Sequence, residues 1–222
     1  QSFAFAGSDV LRNVYSKLVN FHPMDLDAGY QPEVAESWEV SEDGLTFTLN
    51  LRQDALFHDG EPVTSEDVAF TIETIKENHP FKTMFAPVTS VDTPDEHTAV
   101  LNLAHPHPAL MLAMSGQLMS IIPQHIYGDV PINEVKTHPR NNENVVGSGP
   151  FKLVEFKNGE HVILERHEGF FMEGRPYLDR IVMRIITDPT VSRSSSSLGT
   201  RLTSSTRTTP MSVPSRTTGN PR

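Results

Sequence analysis

Hydrophobic and polar residues alternate most regularly in LTFTLNLR, residues 45–52. Leu45, Phe47, Leu49 and Leu51 interleave there with Thr46, Thr48, Asn50 and Arg52. A period of two is that of a strand with one face buried. Trp38-Glu39-Val40 precedes it across Ser41-Glu42-Asp43-Gly44, and Asp-Gly suits a tight hairpin. A second hairpin is predicted from FKLVEF (151–156) and EHVILER (160–166), flanking Lys157-Asn158-Gly159. TAVLNL (98–103) and DRIVMRII (179–186) read as further strands. Helical spacing is scarcer. NVYSKLV (13–19) and PALMLAMSGQLM (108–119) are predicted helices. A third starts at Thr64, with Val68, Ile72 and Ile75 at i, i+4 and i+7 forming a buried face. Pro87, Pro94, Pro106, Pro108, Pro123, Pro131 and Pro139 break the intervening region into short elements. The pattern predicts a mixed α/β (α+β) protein, mostly antiparallel strands with a few helices.

Composition changes that picture at one place. Residues 191–222 hold nine Ser, seven Thr and five Arg, with no Asp, Glu, aromatic residue or apolar period. Such a stretch buries too little apolar surface to offset its ordering entropy, so a disordered tail is expected. The 222-residue chain carries a formal charge of −10. Without the five tail arginines the body is at about −15, which argues against a nucleic-acid partner. The absence of cysteine excludes disulfides and thiolate chemistry. No apolar run is long enough to span a membrane, and no signal peptide is visible. Gln1 at the start implies a processed chain or a fragment.

One stretch invites a chemical reading. FHDGEPVTSEDV, residues 57–68, crowds His58, Asp59, Glu61, Glu66 and Asp67 into twelve positions. A structural account is available for all of it. Asp59-Gly60 is a turn pair, Thr64 sits where an N-cap belongs, and Glu66 and Asp67 lie beside the positive end of the helix dipole. Asp67 occupies the reciprocal capping-box position. A Ca²⁺ loop would need alternating acids and a closing Glu, and a zincin would need two His four apart. The alternative is a metal-dependent hydrolase using His58, Asp59 and Glu61, which stoichiometric Zn²⁺ or Mn²⁺ would support. His105 and His107 in AHPHPAL could contribute to a metal site, but His-x-His without a third ligand reads as a loop before a helix. VVGSGPF (145–151) lacks Walker spacing and a nucleophile elbow, and reads as a tight turn entering a strand. No catalytic residue, metal site or cofactor is expected.

The order of these pieces is informative. PEVAESWEVSEDGLTFTLNLRQDALFHDGEPVTSEDVAFTIE precedes VVGSGPFKLVEF, and GEHVILERHEGFFMEGRPYLDRIVMRII follows. Over about residues 8 to 190 this series resembles the extracellular solute-binding protein family 5, the peptide- and nickel-type receptors of bacterial ABC importers. The resemblance implies a periplasmic-binding-protein-like clamp of two lobes, of which this chain carries the first only. Residues 1–190 would form that first-lobe fragment, with an inserted subdomain over about 21–146. The implied function is capture of an oligopeptide, or a related solute such as a nickel chelate, glutathione or a sugar oligomer. Capture would take place in the periplasm or elsewhere outside the cytoplasm, the receptor acting as a monomer that delivers to an ABC permease by closing around its ligand.

Departures from the family pattern bear on function. The family continues after RIITDPT with a helix and the whole second lobe, whereas this chain has VSRSSSSLGTRLTSS. A frameshift or aberrant gene end near Thr190 to Ser194 is the expectation, checked by translating the coding DNA in the other two frames. The residue that pairs with a peptide's amino group would lie in the second lobe. In the first lobe, the segment before the first helix aligns with SFAFAG (2–7), which makes Phe3 and Phe5 the candidate ligand-binding residues. Impaired binding is expected of this polypeptide alone.

Overall fold

In chain order, the computed structural model contains α1 (Ala6–Val14), β1 (Val19–Phe21), β2 (Tyr30–Pro32), β3 (Ala35–Val40), β4 (Thr46–Leu51) and α2 (Ser65–Asn78). There follow β5 (Val88–Asp95), β6 (Thr98–Leu103), α3 (Leu110–Ser115), α4 (Gln124–Tyr127), β7 (Phe151–Lys157), β8 (His161–Arg166) and β9 (Arg180–Arg184). The structure describes residues 6–21, 25, 27–80, 82–115, 119–141 and 143–184. Two compact units divide the chain, Gln1–Thr187 and Asp188–Arg222, and every described residue belongs to the first. The expected disordered tail and the site of the expected frameshift lie outside the described residues.

Among the described residues all strand pairings are antiparallel, as the alternation and hairpin signals predict. The largest sheet runs β3-β4-β6-β5. In β4, Phe47, Leu49 and Leu51 are buried and Asn50 is exposed, so the period of two is realised. Phe47 pairs with Leu101 and Leu49 with Ala99, which places apolar side chains of neighbouring strands on one face. Val68, Ile72 and Ile75 of α2 belong to the same core, together with Phe57, Phe85 and Met114. Each fully buried Leu or Ile contributes about 2 kcal/mol by removing its side chain from water. The opposite face is polar: the Asn50 amide donates to Ser37 Oγ (3.0 Å), and that of Asn102 to Ser90 Oγ (3.0 Å) and Asp92 (2.8 Å). Asp43 and Gly44 make the β3–β4 turn, Gly44 at φ 69° and Asp43 accepting from the Leu45 amide.

The second sheet runs β7-β8-β9, with Leu153 opposite Leu164 and Leu164 opposite Ile181. These residues pack with Val10, Leu11, Val14 and Tyr15 in a separate cluster. A third sheet is the short pair β1-β2.

Three expectations are corrected. NVYSKLV is not a helix: α1 ends at Val14, and Val19 already lies in a strand. The cause is tertiary, because Ser16 bonds to Ser148 and the Lys17 amide donates to the Glu33 carboxylate (2.9 Å) instead of to a helical carbonyl. β5, absent from the sequence reading, forms despite Pro94 because it is an edge strand with a broken register near that residue. VVGSGPF is not a tight turn, for the reason given below.

Candidate functional site

FHDGEPVTSEDV folds as the structural account requires. The Phe57 amide donates to the Glu61 carbonyl (2.8 Å) and the Val63 amide to that of Ala55 (2.9 Å), closing a narrow loop. Gly60 at its tip has φ 98°, which a side chain would resist. Thr64 then caps α2: its amide (2.8 Å) and hydroxyl (3.0 Å) both donate to Asp67 Oδ2. Asp67 Oδ1 accepts from the Gln124 amide (2.7 Å), so one buried carboxylate ties α4 to the start of α2. Burial raises the Asp67 pKa, against the lowering effect of these donors.

His58 has a different role. Its backbone amide donates to the Gly147 carbonyl (2.7 Å), and the Gly147 amide donates to His58 Nδ1 (3.2 Å). Nδ1 is therefore the acceptor, so the proton of the neutral ring is on Nε2, which donates to the Gly149 carbonyl (3.1 Å). Nδ1 of buried His167 donates to that same oxygen (3.3 Å), and the two rings meet edge to face at 4.9 Å. The Lys152 ammonium caps the His58 carbonyl (2.8 Å). Burial pushes the His58 pKa down to about 4 and lowers that of His167, so both rings are neutral at pH 7.

The segment between these histidines is pressed against the end of α1. The Gly149 amide donates to the Val14 carbonyl (2.8 Å), and the Ser16 hydroxyl donates to the Ser148 carbonyl (2.8 Å). A Cβ on Gly149 would stand 2.6 Å from the Asn13 carbonyl oxygen. One on Gly147 would overlap the Val14 carbonyl. Neither glycine has positive φ; both are needed for close approach, not for turning. GSG is thus a packed crossing point for residues 14–16, 58, 147–149 and 167, a role that the expected tight turn does not describe.

This geometry bears on each candidate. Both His58 nitrogens are engaged with backbone, Asp59 pairs with His125 Nε2 at 2.9 Å, and Glu61 is exposed. The three do not converge as metal ligands. Among the described residues no group of three or more His, Asp or Glu could hold a metal ion. His105 and His107 lie in the loop before α3. Phe3 and Phe5 lie outside the described residues. An open groove of about 540 Å³ includes Glu36, Arg52, Asp54, Asp95 and His97 in its lining. Its arginine is held by Asp54 through two 2.9 Å bonds, so the main opposite charges are paired with each other. Sequence reasoning missed His167 and Ser16; the paired glycines in VVGSGPF were the one local signal of a close crossing.

Residues 29–200 match the family model for bacterial extracellular solute-binding proteins, family 5 (middle region). The chain belongs to this family. An ABC transporter peptide-binding protein of Brucella ovis is 32% identical over 160 residues, covering 71% of this chain and 30% of its own. Among solved family 5 structures, the oligopeptide-binding protein AppA of Bacillus subtilis, in complex with a nonapeptide, superposes with a TM-score of 0.78. Identity there is 27%, over 87% of this chain and 38% of AppA. NikZ of Campylobacter jejuni, in complex with Ni(L-His), gives a TM-score of 0.73 at 29% identity, over 84% of this chain and 36% of NikZ. The mixed antiparallel α/β fold is therefore part of a periplasmic-binding-protein fold. This family 5 chain spans about a third of the length of the curated relatives it matches. No described helix is long and apolar enough to cross a membrane.

Proposed function

We propose that this chain is part of the substrate-binding component of an ABC importer, serving capture of oligopeptides or a related small solute outside the cytoplasmic membrane. The observation that carries this reading is the superposition on AppA, a peptide-binding protein, over 87% of the chain. In this reading residues 1–190 supply the first lobe of a two-lobed clamp, with about 21–146 inserted into it, and Phe3 and Phe5 line the cleft. Ligand would be held between lobes and presented, by a monomeric receptor, to a permease in the cytoplasmic membrane. In this reading the chain performs no catalysis, which is supported by the candidate hydrolase set His58, Asp59 and Glu61: both His58 nitrogens bond to backbone and Asp59 pairs with His125.

One lobe of a clamp offers half of a binding surface, so the 222-residue chain alone should bind peptides weakly or not at all. Calorimetry with peptides of two to nine residues measures this; micromolar affinity would overturn the expectation of impaired binding. The importer reading itself is tested by joining residues 1–184 to the remaining two-thirds of AppA. A folded chimaera that binds peptide, and loses affinity in F3A and F5A variants, supports the reading. A folded chimaera that binds none of peptides, nickel–histidine chelates or glutathione would sink it.

A further inference from the structure

His58 and His167 approach the Gly149 carbonyl from separate elements, His58 from the loop after β4 and His167 from the residue following β8. The two rings are not equivalent. His167 donates through Nδ1, and a proton added at its Nε2 would leave that bond intact. His58 uses both nitrogens, one as acceptor and one as donor, so protonation turns Nδ1 into a donor aimed at the Gly147 N–H. That removes a hydrogen bond and sets two donors against each other.

The Gly149 carbonyl favours a charge on His58, but burial outweighs it and the cationic groups nearby oppose it. Lys152 on β7 holds a fixed positive charge at the His58 carbonyl, and the edge-on His167 ring becomes a second cation on acidification. Asp59 is the one neighbouring carboxylate that favours the charged ring, and its Oδ2 is turned to His125. Above neutrality the crossing is therefore fully bonded, and a single proton on His58 breaks its Nδ1 bond to Gly147 while the Nε2 bond to the Gly149 carbonyl remains.

We propose that the bond from the Gly147 amide to His58 Nδ1, beside the Gly149 carbonyl that His58 and His167 share, is an acid-released latch fastening the loop after β4 to the segment that enters β7. Released, residues 58 and 147 separate locally while the α2 core stays folded. The latch needs no ligand and stands independently of the importer reading.

Hydrogen exchange of the full 222-residue chain, corrected for the intrinsic pH dependence of exchange, tests the latch. Between pH 7 and pH 4, protection of the His58 and Gly147 amides should fall at least tenfold, with protection in Ser65–Asn78 unchanged. In H58Q, which cannot titrate, the amides of residues 58 and 147 should show no such pH dependence. Should H58Q fail to fold, ¹⁵N titration of the wild-type imidazoles decides the matter. The His58 ring should gain its proton in the same pH interval as the amides lose protection. Titration near the ordinary histidine value would overturn the proposal. So would unchanged protection at 58 and 147, or simultaneous loss throughout α2, which would be global acid unfolding.

Discussion

The β3-β4-β6-β5 sheet turns Thr46, Thr48, Asn50 and Asn102 away from its core, whereas Val154 and Val182 of the β7-β8-β9 sheet stand 54% and 52% exposed. The first sheet has a finished polar face laced by amide bonds to Ser37, Ser90 and Asp92. The second keeps apolar side chains in water, Phe156 among them at 47%. Relatives of three times the length have more chain with which to cover such surface. Val40 of β3 apart, the first sheet keeps its large apolar side chains out of water, whereas the second leaves several of them exposed.

Truncating matched leucines is the strongest way to break that comparison. Leu49 and Leu164 are both fully buried. Leu49→Ala should cost about 4 kcal/mol, because closely packed surroundings cannot collapse into the cavity. Leu164→Ala should cost about 2.5 kcal/mol, since its thinner sheet can relax. Urea denaturation measures both, and equal losses would remove the distinction.

The glycine crossing comes next. Gly149→Ala is expected to cost about 3 kcal/mol, because its Cβ meets backbone that cannot move aside. Gly159→Ala, in the β7–β8 turn at φ 77° with open space around it, should cost about 1 kcal/mol of backbone strain alone. The reverse order in thermal denaturation would mean that the crossing is looser than its geometry implies.

Acid sharpens the comparison further. Burial holds His58 near a pKa of 4, below its ordinary 6.5, so the unfolded chain binds the proton first. Its contribution is complete above pH 6.5 and is lost as pH falls toward 4, amounting to about 2 kcal/mol after discounting for the partly exposed ring. His167 and His79, also lowered by burial, act in the same sense. Glu33 and Asp67, raised by burial, act oppositely: their destabilising charge is relieved as pH falls through their raised values. The slope of stability against pH should therefore be shallower in H58Q than in the wild type, and equal slopes would exclude His58 as a contributor.

What could be read from the sequence follows the range of the interactions. Local rules captured β4, both hairpins and the start of α2, because alternation, Asp-Gly, Asn-Gly and a Thr–Asp cap act within a few residues. The spacing of Val68, Ile72 and Ile75 likewise found the buried face of its helix. Residues 13–19 were misread because Ser16 and Lys17 find partners at Ser148 and Glu33, which no local propensity registers. His58 looked like a ligand in a crowd of acids, while its actual partners lie about ninety residues or more downstream. The motif FHDG and the motif GSGPF were each legible; that they are two halves of one joint was not. The segment holding Phe3 and Phe5 was placed by family resemblance alone, with no pattern of its own to position it.

The smallest expected effect addresses the exposed apolar surface directly. Val182 lies opposite Ile163 on the outer strand β9, its side chain half in water. Val182→Thr keeps the β-branched shape that suits a strand and replaces one methyl by a hydroxyl that water can satisfy. Stability should change by less than about 0.5 kcal/mol, since little buried area is lost. Concentration-dependent light scattering should nonetheless fall, because an exposed apolar edge strand is a site for self-association. Thr48→Val on the polar face of the other sheet should do the opposite, leaving stability near its original value while raising scattering. If Val182→Thr instead cost as much as Leu164→Ala, the outer surface of β9 would be a packed one, and the contrast between a finished and an unfinished sheet would fail.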